Sequence, residues 1–543
     1  MKKIIKNVFF VALSAFALGA CKAELETADL TPVASGGLDF SNYVAVGNSL
    51  TSGYADGGLY LESQQNSYPQ FLNDQFAKVG GNPVFNQPLF AAANSDGSGY
   101  LKITGYSATG APIITPFGLN PLPSAAATGS FAFSGPTTGL PASPGTRQLI
   151  PYAGSATANQ NLGIPGLAVV HVTNAFIPAF QGYALVNPFF ERLLTPAQKV
   201  TGLTYINYIN SMAKKPSFFT CWLGNNDVLG YATGGGTAES PTLIGNGAIT
   251  PASLFNPSYD ALVNTLTASG AKGVLATIPD VTALPYFTTV KESNLQSIVF
   301  SDGKLEVKVN GAVVSITTFP GLLPIPQSGP GAGSFFPGVG TVPTASQIAS
   351  FFNALYLANG YTDPGFTPGA NTPVFTVNVP TGVRSPANPT QVKKLGAGDF
   401  IVLPFGSVAA TLIAGGGGFL TPANAPNPFA DQWLLDASEV AKVKTATAGF
   451  NAKIKSVATA KGLAFFDAAA SFTEIISNGG IDDVVGGTAL VTGGLFSLDG
   501  VHLTPRGYGT IANQFIKAIN AGYKANIPLL DVRQRGLRGV RLP

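Results

Sequence analysis

The chain has 543 residues, with 30 Lys and Arg against 27 Asp and Glu and a formal charge of +3. Charged residues make up 10% and aromatic residues 10%, with 65 Gly and 41 Pro, and the mean hydropathy is +0.26. This balance excludes a disordered chain, which needs low hydrophobicity and high net charge, and it points to no nucleic-acid partner.

Lys2, Lys3 and Lys6 precede the apolar run Val8–Leu18, and Leu-Gly-Ala-Cys follows at 18–21. A basic start, a short apolar stretch and small residues before a processing point make residues 1–21 a targeting segment. The apolar run is too short to be a good membrane span. An ordinary secretory signal with a chance cysteine is the plain reading. The cysteine stands directly after the small residues, however, so the segment resembles a bacterial lipoprotein signal with its lipobox. That resemblance implies a lipid on Cys21 and attachment to a membrane of the bacterial cell envelope (the outer membrane, on its periplasmic or surface side). Residues 22–40 then read as a tether. Cleavage would remove three lysines and no acid, bringing the formal charge from +3 to zero. Cys221 is the one other cysteine, so the mature chain has no internal disulfide framework.

Residues 41–543 read as one domain with insertions at about 87–160 and 285–430. The apolar run Tyr43–Val46 breaks at Gly47, and Asn48, Ser49 and Leu50 follow. An apolar run ending in such a turn suggests a buried parallel strand, and the carboxyl end of such a strand is where open α/β sheets bind ligands. Ser49 is therefore a candidate nucleophile, with a turn serine or helix N-cap as the alternative. Ser67–Val79 has helical spacing and stops at Gly80-Gly81. Residues 87–160 are rich in Gly, Ala, Ser, Thr and Pro and read as an insertion.

Asn161–Gly166, Asn-Leu-Gly-Ile-Pro-Gly, holds glycines whose backbone N–H can approach a substrate closely. His171 lies in apolar surroundings without an acid nearby and reads as a hydrogen-bonded structural residue. Val172–Leu194, interrupted by Pro178 and Pro188, reads as two short helices. Phe218–Leu223 is an apolar strand ending at Gly224-Asn225-Asn226-Asp227, where an asparagine amide can donate to a developing oxyanion. Tyr259–Ser269 reads as a helix and Gly273–Ile278 as a buried strand.

Within 285–430, Leu305–Val309 and Ala312–Ile316 alternate around Asn310-Gly311, a strong hairpin signal. Ala345–Asn359 reads as a helix. Phe400–Leu420 is uncharged, but Pro404 and Gly415–Gly418 argue against a membrane span and for a buried strand-and-turn segment. Asp436–Lys461 is a long amphipathic helix and Leu463–Phe466 a final strand.

The chain holds two histidines, His171 and His502. His502 has Asp499 three residues before it, a spacing that lets a carboxylate hold the ring in the useful tautomer on one loop. Thr504 and Pro505 suit the N-cap and first turn of a helix running to about Asn520. Arg533, Arg535, Arg538 and Arg541 read as a solvated tail.

Alternating strands and helices imply an α/β fold with a parallel sheet. Beyond that, four short blocks resemble the GDSL/SGNH hydrolase family of lipases and esterases. Gly47-Asn48-Ser49-Leu50 matches its first block, Gly166 the glycine of its second (Gly163 being the runner-up), Gly224–Asp227 its third, and Asp499–His502 its fifth. Asn48 departs from the usual aspartate but keeps an acceptor oxygen for the same turn. The resemblance implies a three-layer α/β/α, flavodoxin-like domain of about five strands. The insertion at 285–430 follows the carboxyl end of the strand Gly273–Ile278, so it reads as a β-hairpin and loop-rich cap over Ser49, with an accessory subdomain packed on itself as the alternative. It implies a serine ester hydrolase working through an acyl-enzyme. Ser49 would be the nucleophile, His502 the base and Asp499 its orienting acid. The N–H groups of Ser49 and Gly166 and the Asn226 side chain would form the oxyanion hole. No metal or cofactor is implied, and the partner is a small-molecule, lipid or glycan ester. The alternatives are a carbohydrate O-deacetylase on the same fold and a non-catalytic surface-binding lipoprotein. The count of 37 Phe against two Trp leans toward apolar acyl groups, because sugar platforms often use Trp.

Overall fold

The apolar runs close into a single sheet. In a computed structural model, β1 (Tyr43–Gly47), β2 (Asn161–Gly163), β3 (Phe218–Trp222), β4 (Lys272–Ala276) and β5 (Ala464–Phe466) pair in the order β2-β1-β3-β4-β5, all parallel. The structure describes residues 32–543 except 109, 119–148, 174–186, 196–197, 199–202, 238–246, 310, 319–341, 378–384, 386, 422–424, 483, 488 and 534. Residues 1–31, with the expected signal and Cys21, lie outside the described residues. Every residue of β1 and β3 is buried, which is why both read as near-continuous apolar runs rather than as alternation. The strand order reverses between β1 and β3, and in an open α/β sheet the crevice at that reversal is where ligands bind.

Helices cover both faces. They include α1 (Ser49–Ser52), α2 (Tyr68–Phe76), α3 (Asn226–Thr233), α4 (Ala252–Thr267), α5 (Ala437–Lys461) and α6 (Pro505–Tyr523). Adjacent residues of β3 show the two sides. The Trp222 ring meets Tyr68 of α2 and Phe515 of α6, while Cys221, pointing the other way, meets Tyr259 of α4. α5 is capped as its sequence demands: Asp436 accepts from the Ser438 and Glu439 N–H groups, and Gly462 closes the far end at φ +60°. α4 begins seven residues before the expected start at Tyr259. Pro257 lies inside it, so the proline marks an interior position rather than a boundary.

The insertion at 285–430 has two halves. The expected hairpin forms between Lys304–Val309 and Ala312–Thr318, and Gln296–Ser301 and Gly369–Asn371 extend it to a four-stranded antiparallel sheet. The helix Ala345–Ala358, foreseen almost to the residue, packs on that sheet around a separate core that includes Phe300, Phe352 and Phe366. The other half joins the main core through Phe375, Ile401, Val402, Phe405 and Phe429. Phe400–Leu420 departs from the strand-and-turn expectation, for a helix, Phe405–Ala414, fills its centre between two-residue strands. Three alanines give that stretch good helix propensity, which its uncharged, Gly-bounded appearance concealed.

Between Ser49 and Gly166 a hairpin pairs Tyr100–Tyr106 with Pro112–Phe117, inside the insertion at 87–160, whose composition pointed to no particular element. Of the two helices expected over Val172–Leu194, only Pro188–Glu191 falls among the described residues. The C-terminal tail is not a free solvated terminus. Leu530, Val532 and Leu537 are buried in the main core. Arg538 and Arg541 both reach Glu62, and Arg535 reaches Asp74. Exposed ion pairs contribute about 0–1 kcal/mol each, so the buried aliphatics, at about 1.5–3 kcal/mol apiece, hold the tail down.

Candidate active site

The switch point of the sheet carries the residues that the sequence singled out. β1 ends at Gly47, and Asn48 caps the short α1, its Oδ1 accepting the Leu50 N–H at 3.1 Å. Asn therefore performs the turn-shaping task open to an aspartate. Its Nδ2, which an aspartate would lack, is buried without a partner among the described residues. Ser49 is the first residue of α1 and is 7% exposed, so a substrate atom must come to it through a narrow opening.

His502 arrives from the loop before α6. Its Nε2 lies 2.8 Å from Ser49 Oγ, and its Nδ1 lies 2.8 Å from Asp499 Oδ2. The main chain fixes the acid. Asp499 Oδ1 accepts the N–H groups of Val501 at 2.9 Å and His502 at 2.8 Å, and Oδ2 accepts that of Gly57 at 2.8 Å. Burial pushes the Asp499 carboxyl up, but the His502 ring and these donors outweigh it and hold it at about 2. An ionised carboxylate only accepts, so Nδ1 carries the ring proton and Nε2 is left to accept from Ser49 Oγ. Thr504 caps α6 through the Gly507 N–H at 3.2 Å, with Pro505 in the first turn as expected, and the helix runs on to Tyr523.

The second block lies against the end of β1, where the Ile164 N–H donates to the Gly47 carbonyl at 3.1 Å, and the third block meets the second. Gly166 is at φ +80°, a conformation that favours glycine. Its N–H, like that of Ser49, has no acceptor among the described residues. Gly163 differs: its N–H is taken by Asn161 Oδ1 at 3.0 Å, and a Cβ there would meet the Ser52 nitrogen at 2.3 Å. The free donor is thus Gly166, and Gly163 is kept small by packing. Asn226 opens α3 and donates through Nδ2 to the Leu167 carbonyl at 2.9 Å, which leaves its second amide hydrogen for another acceptor. Asp227 Oδ2 accepts the Val169 N–H at 2.8 Å, and burial pushes this carboxyl up to about 7. The third block therefore grips the loop that carries Gly166 at two points.

Several groups around the site were not foreseen. The Tyr54 ring lies 4.6 Å from the His502 ring, and Tyr508 donates to the Tyr54 carbonyl at 2.5 Å. Ser497 and Gly57 both bond Asp499. The Asp-Gly-Gly run at 56–58 is the one signal that marked this loop, as a turn. His171 accepts the Ala168 N–H on Nδ1 at 3.1 Å, and burial pushes its ring down to about 4, in keeping with a structural role. Cys221 is fully buried in β3. Comparison with known proteins found no match: no family model, no curated protein and no solved structure matches the chain.

Proposed function

We propose that the chain is a serine ester hydrolase of the GDSL/SGNH kind, built on a flavodoxin-like sheet and acting on acyl or acetyl esters. The observation that carries this reading is the continuous relay from Asp499 through His502 to Ser49, at 2.8 Å for each link. The N–H groups of Ser49 and Gly166 have no acceptor among the described residues, and the Asn226 amide is held on the loop that carries Gly166. The strand order, with the serine after β1 and the asparagine after β3, supports the fold reading.

In this reading Ser49 Oγ attacks the ester carbonyl carbon as its proton passes to His502 Nε2. The tetrahedral oxyanion accepts from the N–H groups of Ser49 and Gly166 and from Asn226 Nδ2. The C–O bond to the alcohol then breaks, and the alcohol leaves with the proton from His502. Water, deprotonated by His502, hydrolyses the acyl-Ser49 ester and restores the serine. A fluorophosphonate probe tests the assignment. It should label wild type and leave Ser49→Ala unlabelled, and equal labelling of both would exclude Ser49.

We place the enzyme on the bacterial envelope through a lipid on Cys21, on the strength of Lys2, Lys3, Lys6, the apolar run and Leu-Gly-Ala-Cys. Among the described residues no helix is long and apolar enough to cross a membrane. Cys21→Ser should leave the protein unprocessed or soluble on fractionation. Unaltered processing and membrane association would rule the lipid out.

A further inference from the structure

The loop carrying Asp499 and His502 is held from outside by a second loop that no step above uses. Residues 54–60 follow α1, and Asp56 sits among them at φ +53°, a left-handed conformation that Asp and Asn tolerate better than other side-chain-bearing residues. Asp56 is buried. Its Oδ1 accepts the Leu498 N–H at 3.0 Å, and its Oδ2 accepts the Tyr60 hydroxyl at 2.8 Å. Its own N–H donates to Ser497 Oγ at 2.8 Å, and Ser497 Oγ donates in turn to Asp499 Oδ1 at 3.2 Å. One residue on, the Gly57 N–H donates to Asp499 Oδ2, and two residues back the Tyr54 ring lies against His502.

We propose that Asp56 is a positioning residue for the Asp499–His502 pair: it fixes the loop that bears both groups and sets a second buried negative charge behind Asp499. Burial and the Asp499 charge push the Asp56 carboxyl up, against the Leu498 N–H, the Tyr60 hydroxyl and Arg538, and both oxygens accept from donors, the arrangement that suits the ionised carboxylate. The titratable and charged groups facing it are Asp499, Tyr60, Arg538 of the tail and Tyr100, whose ring stacks on Tyr60 at 4.3 Å. Glu62 lies beyond Tyr60 and is bonded to Arg538. A negative charge behind Asp499 favours the protonated form of His502, so its removal should let the ring lose its proton at lower pH. The catalytic consequence rests on the proposed reaction, whereas the titration does not.

The chain has only two histidines, so selective isotope labelling of histidine follows His502 by NMR, with His171 as an internal control. Misplacing a catalytic base by about 1 Å can cost about 10²-fold. Asp56→Ala should lower kcat by about that factor while KM stays within about threefold. Asp56→Asn keeps an acceptor for the Leu498 N–H and should restore most of kcat, yet His502 should titrate at lower pH with His171 unmoved. Wild-type kcat in folded Asp56→Ala would overturn the proposal, as would a loss confined to KM or an unshifted His502 titration in Asp56→Asn. If Asp56→Ala fails to fold, Asp56→Asn and Ser497→Ala, which cuts the link to Asp499 Oδ1, carry the test. Probe labelling of wild-type Ser49 decides the reaction separately, since the titration needs no turnover.

Discussion

The two halves of the 285–430 insertion are built differently, and the difference bears on function. The half around Gln296–Asn371 packs on a separate core, in which Phe300 meets Phe352, Phe366 and Phe419 and to which Val392 and Phe419 of the other half contribute. The half around Phe375–Leu435 also joins the core of the parallel sheet, through Phe375, Ile401, Val402, Phe405 and Phe429. Tyr286 and Leu403 of the insertion reach the loop of Asp499 and His502. Gly500, between Asp499 and His502, accepts the Tyr286 N–H at 3.0 Å through its carbonyl. A Cβ at Gly500 would lie 2.9 Å from the Tyr286 nitrogen and 3.0 Å from Leu403 Cδ2. Proximity to the site thus goes with a shared core, and the half on the separate core has the anatomy of an accessory unit. Of the two readings of 285–430, a cap and an accessory unit, we assign the first to the half that shares the main core and the second to the half built on the separate one.

This contrast predicts that chemistry resides in the sheet-end loops and that the insertion tunes the choice of ester. The largest effect should follow a change in the acid. Asp499→Asn keeps the shape of the side chain but puts a donor where Nδ1–H needs an acceptor, and the wrong tautomer typically costs about 10⁴ in kcat. Steady-state kinetics with a short ester would show it, and a loss below about tenfold would break the assignment. The wild-type pH profile carries a related expectation. The Asp499 carboxyl is held at about 2, below its ordinary 3.8. Its contribution to stability is therefore complete above the ordinary range and is lost only as pH falls toward 2. The acid limb of kcat/KM near neutral pH therefore does not report Asp499.

Asn226→Ala should come next, lowering kcat by about 10²–10³ with a smaller change in KM, as removal of one oxyanion donor typically does. A wild-type kcat would place the oxyanion elsewhere. The variant also loses the bond to the Leu167 carbonyl, so a melting curve should accompany it. A drop of about 1 kcal/mol would be ordinary for one hydrogen bond and would not explain the kinetic loss.

The legible parts of the chain were those fixed by local rules. Gly47–Leu50 and Gly224–Asp227 are short because each turn presents one side chain at a strand end, and Asp499–His502 because one loop before α6 carries acid and base together. The caps at Asp436 and Thr504 and the hairpin 304–318 follow from neighbours in sequence. What stayed hidden depends on distant partners. β2 is three residues long and reads as a turn until Gly47 pairs with Gly163. The tail looks solvated until Leu530, Val532 and Leu537 find the core. Asp56 looks like a turn residue, because its partner Leu498 lies 442 positions away.

The smallest expected effect is the one that separates the two halves of the insertion. Phe287 and the Phe400–Ile401 pair line a cleft together with Val290, Leu395 and Asp399, and the Phe287 and Phe400 rings meet edge to face at 6.2 Å. The cleft walls belong to the two segments whose Tyr286 and Leu403 abut Gly500, so a long acyl chain or alcohol leaving His502 on that side would run along them. Phe400→Ala should therefore weaken kcat/KM for long-chain esters by about tenfold while sparing acetate esters, since a few methylenes of lost contact are worth about 1–3 kcal/mol. Phe300→Ala, in the satellite core, should cost about 3–5 kcal/mol of local stability, visible as a lowered melting transition, and leave the ratio of long to short esters unchanged. The pairing is what makes the test sharp. If Phe300→Ala shifts the ester profile as much as Phe400→Ala does, the satellite and the wall act as one cap. If neither shifts it, the cleft is not part of the substrate path.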